Sequence, residues 1–252
     1  MSDAIDLNAV VDTYDIDNVY ENYKRVEFLT KLEKYVNLSN SSILELGSAT
    51  GRFTLMLSKI AREVVAVDGS SRFIDIAKKT VGKAENVTFL ESYFEDIHLD
   101  RTFECLIMHH ILEHVSDPKL ILARVKKFLG PNGIIAVSVP NAHSLSRQLA
   151  VRMGLLGSLY ELTPNDLRHG HMRVYDWDMM QEQIVSAGFE IIGRHGLSFK
   201  LFSDKQNVEM LHTGIIGEPQ IKGLWKIGDE YAKLSGAIMI VAKSSGCVPA
   251  GK

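Results

Sequence analysis

One short stretch constrains this chain more than any other: a buried-strand pattern that runs through a glycine-containing turn into a helix. In ILELGSATGRFT (43–54) an apolar run ends at Glu45-Leu46, and Gly47 and Gly51 bracket the turn. Phe53, Met56, Leu57 and Ile60 then fall on one helical face. Glycine adopts turn angles that other residues resist and lets the backbone come close to a ligand. The helix start offers N–H groups without intrahelical partners. In a doubly wound sheet such a turn lies at the carboxyl ends of the strands, where ligands bind. The spacing is Gly-x-x-x-Gly, so the Gly-x-Gly-x-x-Gly dinucleotide fingerprint is not met. Close helix–strand packing alone would also call for both glycines.

The surrounding rhythm extends this unit. Residues 18–36 carry Val19, Tyr23, Val26, Leu29 and Leu32 at helical spacing. Strand patterns follow at 41–46, 63–68, 86–91, 103–108 and 133–140, with helical stretches between them. Ser70 or Ser71 suits a helix N-cap, and Ser116-Asp117-Pro118 is a further helix start. Gly130 is read as the stop of that helix. Strands alternating with helices predict a parallel sheet covered on both faces. The alternation breaks at 141–175, an irregular insert. A helix from Asp176 and a strand at 189–196 precede a second insert, 198–234, and a last strand at 236–243. The expected division is a leader and lid helix at 1–37 and one domain at 38–252, with the inserts capping the substrate side.

Composition excludes several classes. The chain has 252 residues, with 28 Lys+Arg against 31 Asp+Glu, and is 46% hydrophobic. That is the balance of a globular protein, and it argues against a duplex-DNA binder held by counterion release. Two cysteines, Cys105 and Cys247, exclude a disulfide scaffold and a cysteine zinc cluster. The acidic start lacks the apolar core of a signal peptide, and no run approaches 18 apolar residues. A cytoplasmic protein with no membrane partner and no nucleic-acid partner is expected, as a monomer or homodimer.

Asp68 closes the second strand, 21 positions after Gly47. A carboxylate there can accept both hydroxyls of a ribose. Together these stretches resemble the class I S-adenosylmethionine-dependent methyltransferases, in particular the small-molecule group of ubiquinone-biosynthesis type. ILELGSATG resembles the family's first motif and VVAVDGS its second. TFECLIMHHILEHVSDP (102–118) and GPNGIIAVSVPN (130–141) resemble the fourth- and fifth-strand regions, with Ala187-Gly188-Phe189 near the sixth. The resemblance implies a Rossmann-like seven-stranded sheet with its last strand antiparallel, and S-adenosylmethionine as cofactor. It also implies cofactor roles. Gly47, Ser48 and Gly51 form the turn under the methionine part and ribose, and Glu45 orients the amino group. Asp68 takes the ribose, and Gly69 gives clearance beside the adenine. Tyr93 and Phe94 flank the adenine, where Tyr93 replaces a customary Asp. Met108 offers a backbone carbonyl.

Methyl transfer needs in-line alignment and, for a hydroxyl or ammonium acceptor, removal of a proton. Histidine suits that task near neutral pH. His109, His110 and His171 are the candidate bases; His114 and Glu113 read as structural. The insert 141–175 holds four arginines against two acids, and RHGHMRVY (168–175) concentrates cationic groups. Arg168, His169 and Arg173 are therefore candidates for an anionic or phosphorylated acceptor, and Tyr14 is a candidate lid residue. No metal is expected, because adjacent histidines diverge and spacing fixes no third ligand. The expected reaction is methyl transfer to an oxygen, less readily a nitrogen, of a small metabolite. The alternatives are an RNA or protein methyltransferase, a nucleotide-dependent oxidoreductase, and an inactive cofactor-binding partner.

Overall fold

In a computed structural model, which describes residues 7–13 and 18–245, the strand patterns of the sequence become the centre of the molecule. A short turn of helix, α1 (Leu7–Val10), precedes α2 (Val19–Leu32), whose N-cap is Asn18. Then come β1 (Ser42–Leu46), α3 (Arg52–Ser58), β2 (Glu63–Asp68), α4 (Ser71–Val81), β3 (Val87–Glu91) and β4 (Phe103–His109). Ser70 caps α4 through its Oγ, and Asp117 caps α5 (Pro118–Val125). Next are β5 (Leu129–Pro140), α6 (Leu145–Arg152), α7 (Pro164–Arg168), α8 (Trp177–Ser186) and β6 (Phe189–Leu197). The chain closes with α9 (Asp204–His212), α10 (Glu218–Glu230) and β7 (Ala237–Ser244).

The seven strands form one sheet in the order β3-β2-β1-β4-β5-β7-β6. β1 to β5 run parallel, and β7 enters antiparallel between β5 and β6. The expected doubly wound sheet with an antiparallel last strand is what forms. The order reverses at β1, so the loops after β1 and β4 meet at the crevice where ligands bind in open α/β sheets.

Side chains alternate across the sheet. Leu44, Leu46, Leu106 and Met108 face a core shared with α5 and α8. Ile43, Cys105, Ile107 and Ala136 face the other core, filled by Phe28 and Leu32 of α2 and Phe53 and Leu57 of α3. Glu45 stands between Leu44 and Leu46, so it points to the α2 and α3 side. The pairing of Glu45 with Ile107, and of His109 with Ser138, puts His109 and Ser138 on that same side.

Three local expectations are revised. The buried stripe of α2 is Tyr20, Phe28, Leu29 and Leu32 together with Glu27 and Lys31, while Val26 is 41% exposed. Glu27 and Lys31 enter the core as an ion pair of 2.9 Å, a pattern that apolar spacing does not reveal. Gly130 does not end a helix. Helix α5 stops at Val125, and Gly130 lies inside β5, which starts where Leu129 pairs with Phe103. The insert 141–175 is ordered by two helices, with Thr163 and Asp166 forming a reciprocal capping box on α7. Among the described residues no helix is long and apolar enough to cross a membrane.

Candidate active site

The turn after β1 is built on left-handed backbone at Gly47 (φ 84°), Ala49 (φ 41°) and Gly51 (φ 76°). A Cβ at Gly47 would lie 2.2 Å from Ile111 Cδ1, and one at Gly51 would lie 2.6 Å from the Cα of Ala77. Both glycines are thus demanded by backbone angle and by contact with the loop after β4 and with α4. Asp68 braces the turn from the next strand. Its Oδ2 accepts from the Ala49 N–H at 2.9 Å, and its Oδ1 accepts from the Ser70 N–H at 3.0 Å. Burial raises its pKa, against the pull of those backbone donors. The buried Ser48 Oγ has no hydrogen-bond partner.

Gly69 follows Asp68 under a roof. A Cβ there would meet Leu7 Cδ1 at 2.8 Å and the Tyr93 ring at 3.2 Å. Residues 7–13 are tied down beside it: Ser70 Oγ donates to Asn8 Oδ1 at 2.7 Å, and the Arg72 guanidinium pairs with Asp12 at 2.6 Å. Tyr93 is 56% exposed, and Phe94 opens a turn of 3-10 helix packed on the core. Tyr14 lies outside the described residues.

A second group gathers where β1 and β4 run side by side. Glu45 is buried. Its Oε2 accepts from Thr54 Oγ1 at 2.7 Å, and its Oε1 has no partner. Burial pushes its pKa up to about 8. His109 is enclosed by the rings of Phe28 (4.9 Å), Phe53 (5.2 Å) and His110 (4.6 Å). Burial pushes its pKa well below the ordinary value, helped by His110, Arg25 and Lys24. The charge of Arg25, from α2, acts on both Glu45 and His109. Sequence reasoning missed Arg25, because only the docking of α2 over the sheet brings it here. Met108 turns its side chain into the opposite core, so only its backbone faces the crevice.

On the other side of the loop lies a cluster of titratable groups. His110 is held at φ 58°, and its Nδ1 sits 3.0 Å from Oε1 of the fully buried Glu113. Glu113 Oε2 has no partner. Burial pushes the Glu113 carboxyl up, but the His110 hydrogen bond and the neighbouring His114 and His171 outweigh it and hold the group low. Burial holds His114 down near 4. His171, from the first insert, stacks on His114 at 4.7 Å and lies 3.4 Å from Asp166. Ligand atoms of Glu113, His114 and His171 fall within 4.8 Å of one another, a spacing that a divalent cation could bridge. The fold therefore supplies the third group that sequence spacing left unspecified.

The acceptor candidates divide. Arg173 turns its guanidinium to the backbone, donating to the carbonyls of Leu112 (2.9 Å), Val115 (2.5 Å) and Ser116 (3.1 Å). It clamps the 110–116 loop to the insert instead of presenting charge to the cleft. His169 ties the insert to the N-terminal segment, with Nε2 3.3 Å from the Thr13 carbonyl. Arg168 is exposed at the end of α7.

These features fit S-adenosylmethionine. The orphaned Glu45 Oε1 suits an ammonium group, Arg25 a carboxylate, and the Asp68 edge beneath Leu7 and Tyr93 a nucleoside. A family model described as a methyltransferase domain matches residues 19–193. The chain belongs to this family. Its fold and glycine turn are those of a class I S-adenosylmethionine-dependent methyltransferase. It is similar to the tRNA 5-carboxymethoxyuridine methyltransferase of Escherichia coli K12, at 25% identity over 64% of each chain. It is also similar to the ubiquinone biosynthesis O-methyltransferase of Rhizobium johnstonii, at 25% identity over 68% of each chain. The match to the fission-yeast mitochondrial ubiquinone enzyme is 27% identical and spans half of that protein. Among solved structures, the N-methyltransferase NodS of Bradyrhizobium japonicum with S-adenosyl-L-homocysteine shares the fold. Its TM-score is 0.59 at 12% identity, covering 90% of this chain and 89% of that one.

Proposed function

We propose that this methyltransferase moves a methyl group from S-adenosylmethionine to an oxygen of a small acceptor held between the 110–116 loop and the first insert. The sulfonium of the cofactor supplies an electrophilic methyl with a good leaving group. What remains for the chain is alignment and the fate of the acceptor proton. The observation that carries the reading is the His110–Glu113 pair at 3.0 Å, formed where His110 takes a left-handed backbone angle just after β4. Glu113 orients the ring through Nδ1, which leaves Nε2 as the acceptor of the substrate proton. The ubiquinone-type relatives, whose names specify oxygen methylation, support that acceptor atom.

The test is turnover with radiolabelled cofactor on panels of phenols, catechols and carboxylic acids, with the methylated atom placed by mass spectrometry and NMR. His110→Ala is expected to lower kcat roughly 100-fold and to leave S-adenosylhomocysteine affinity unchanged. Methylation of nitrogen, or an unaltered kcat, would overturn the assignment. Chelation is expected to leave turnover intact. A loss restored by Mg²⁺ would assign the proton-releasing role to a cation at Glu113, His114 and His171.

A second reading, an RNA acceptor, is favoured by the Escherichia coli relative and by exposed Arg152 and Arg168 on the same insert. Methylation of transcribed tRNA that weakens steeply with salt would support it.

A further inference from the structure

Ser138 is a polar residue in a buried apolar stretch of the sheet. It lies between Val137 and Val139 on β5 and is fully buried. Its Oγ is 2.7 Å from His109 Nδ1. Among the described residues neither atom has any other hydrogen-bond partner. A hydroxyl has one proton to donate, and a buried donor left unpaired is costly. If His109 Nδ1 carried a proton toward Oγ, the hydroxyl proton of Ser138 would have no acceptor. The arrangement that satisfies both groups has Ser138 Oγ–H donating to a bare Nδ1. The ring proton is then on Nε2. That nitrogen has no partner in the described residues, and the ring faces the same side of the sheet as Glu45.

We propose that Ser138 locks His109 as a neutral, Nε2-protonated hydrogen-bond donor, and that this donor binds the carboxylate of the cofactor's amino-acid end beside Arg25. His109 is then a binding residue and not a base, and Ser138 is a positioning residue acting through it. Three facts converge on that ligand group. Arg25, on α2 with its guanidinium donating to Asn22 Oδ1 at 2.9 Å, adds positive charge to the surroundings of both His109 and Glu45. Glu45 offers a buried, unpartnered oxygen to the ammonium of the same amino acid. The Phe28 and Phe53 rings pack around His109 and fix its plane. An amino-acid zwitterion would thereby meet an acceptor for its ammonium and a neutral donor plus a cation for its carboxylate. The proposal rests on the cofactor assignment and is independent of the acceptor and of His110.

The first test is long-range ¹H–¹⁵N NMR of the ligand-free protein, with His109 assigned by the signals that His109→Phe removes. The expected pattern is a protonated Nε2 and a bare Nδ1; the reverse tautomer would overturn the proposal. The second is calorimetry with S-adenosylhomocysteine and with methylthioadenosine, which lacks the amino-acid end. His109→Phe keeps an aromatic ring in place and should weaken S-adenosylhomocysteine about tenfold, the scale of one hydrogen bond to a charged group. It should leave methylthioadenosine unchanged. Ser138→Ala should weaken S-adenosylhomocysteine about threefold and mix the two tautomers, and Ser138→Thr should restore both. Equal losses for both nucleosides, or no loss for either, would overturn the carboxylate role. Wild-type protein that bound neither nucleoside would overturn the cofactor assignment as well, while the tautomer measurement reads the Ser138–His109 lock without ligand.

Discussion

The cofactor half and the proposed acceptor half of this molecule are built on opposite principles. Around β1, β2 and β4, short contiguous segments do the work: a five-residue strand, a turn with left-handed backbone, and one carboxylate at a strand end. The acceptor half is assembled from distant pieces. His171 reaches Glu113 and His114 across more than fifty residues, and Arg173 clamps Leu112. Lys31 bridges Glu27 and Asp229, which joins α2 to the second insert. The difference teaches that a ligand common to many proteins can be held by local backbone geometry. Side chains on the inserts can meet only after those inserts are stitched to the scaffold.

The sharpest break of the cofactor half comes from Gly51→Val. The left-handed φ and the 2.6 Å approach to Ala77 leave no room for a branched side chain. A loss of about 3–5 kcal/mol is expected, measured by urea unfolding. Both cofactor binding and α3–α4 packing should fail together.

Glu45→Gln probes the same half in the opposite direction. The carboxyl titrates near 8 in the folded protein against 4.5 ordinarily. Between those values the unfolded chain releases a proton that the folded chain retains. The wild type therefore loses stability as pH rises through that window. Glutamine has no such proton, so the variant should gain about 3 kcal/mol over wild type at pH 7, with no gain at pH 4. Its S-adenosylhomocysteine affinity should fall at the same time. Thermal unfolding across pH 4–8, paired with calorimetry, checks both signs.

Arg173→Ala tests whether the acceptor half is stitched as described. Three backbone carbonyls lose their donor, for an expected cost of about 2 kcal/mol. Faster amide exchange should spread over 110–116. A selective rise in acceptor KM with unchanged stability would return Arg173 to the role of an anion-binding residue. Arg168→Ala should show the smallest effect, with stability changed by less than about 0.5 kcal/mol. The KM for an anionic acceptor should rise about fivefold. An unchanged KM across anionic and neutral acceptors would remove Arg168 from the acceptor site.

The strand rhythm, the N-caps Ser70 and Asp117, the glycine turn and Asp68 were all legible in the sequence, because each is a local signal within a few residues. The spacing on α2 marks Leu29 and Leu32 but not Tyr20 or Phe28, since Glu27 and Lys31 are buried as a pair and break the apolar pattern that marks a buried face. The end of α5 was misjudged for a related reason. Gly130 looks like a helix stop, but the edge of β4 recruits Leu129 as a strand partner, and that pairing is a long-range event.

By itself, the sequence determined the doubly wound architecture and the glycine turn beside Asp68. Period-two burial, a turn that tolerates left-handed angles and a carboxylate at a strand end are properties of contiguous residues. Only the tertiary structure decided what each histidine meets. Whether a ring is a base, a donor or a wall depends on the partner of its other nitrogen. Those partners, Ser138 for His109 and Glu113 for His110, are chosen by how strands and loop are brought together.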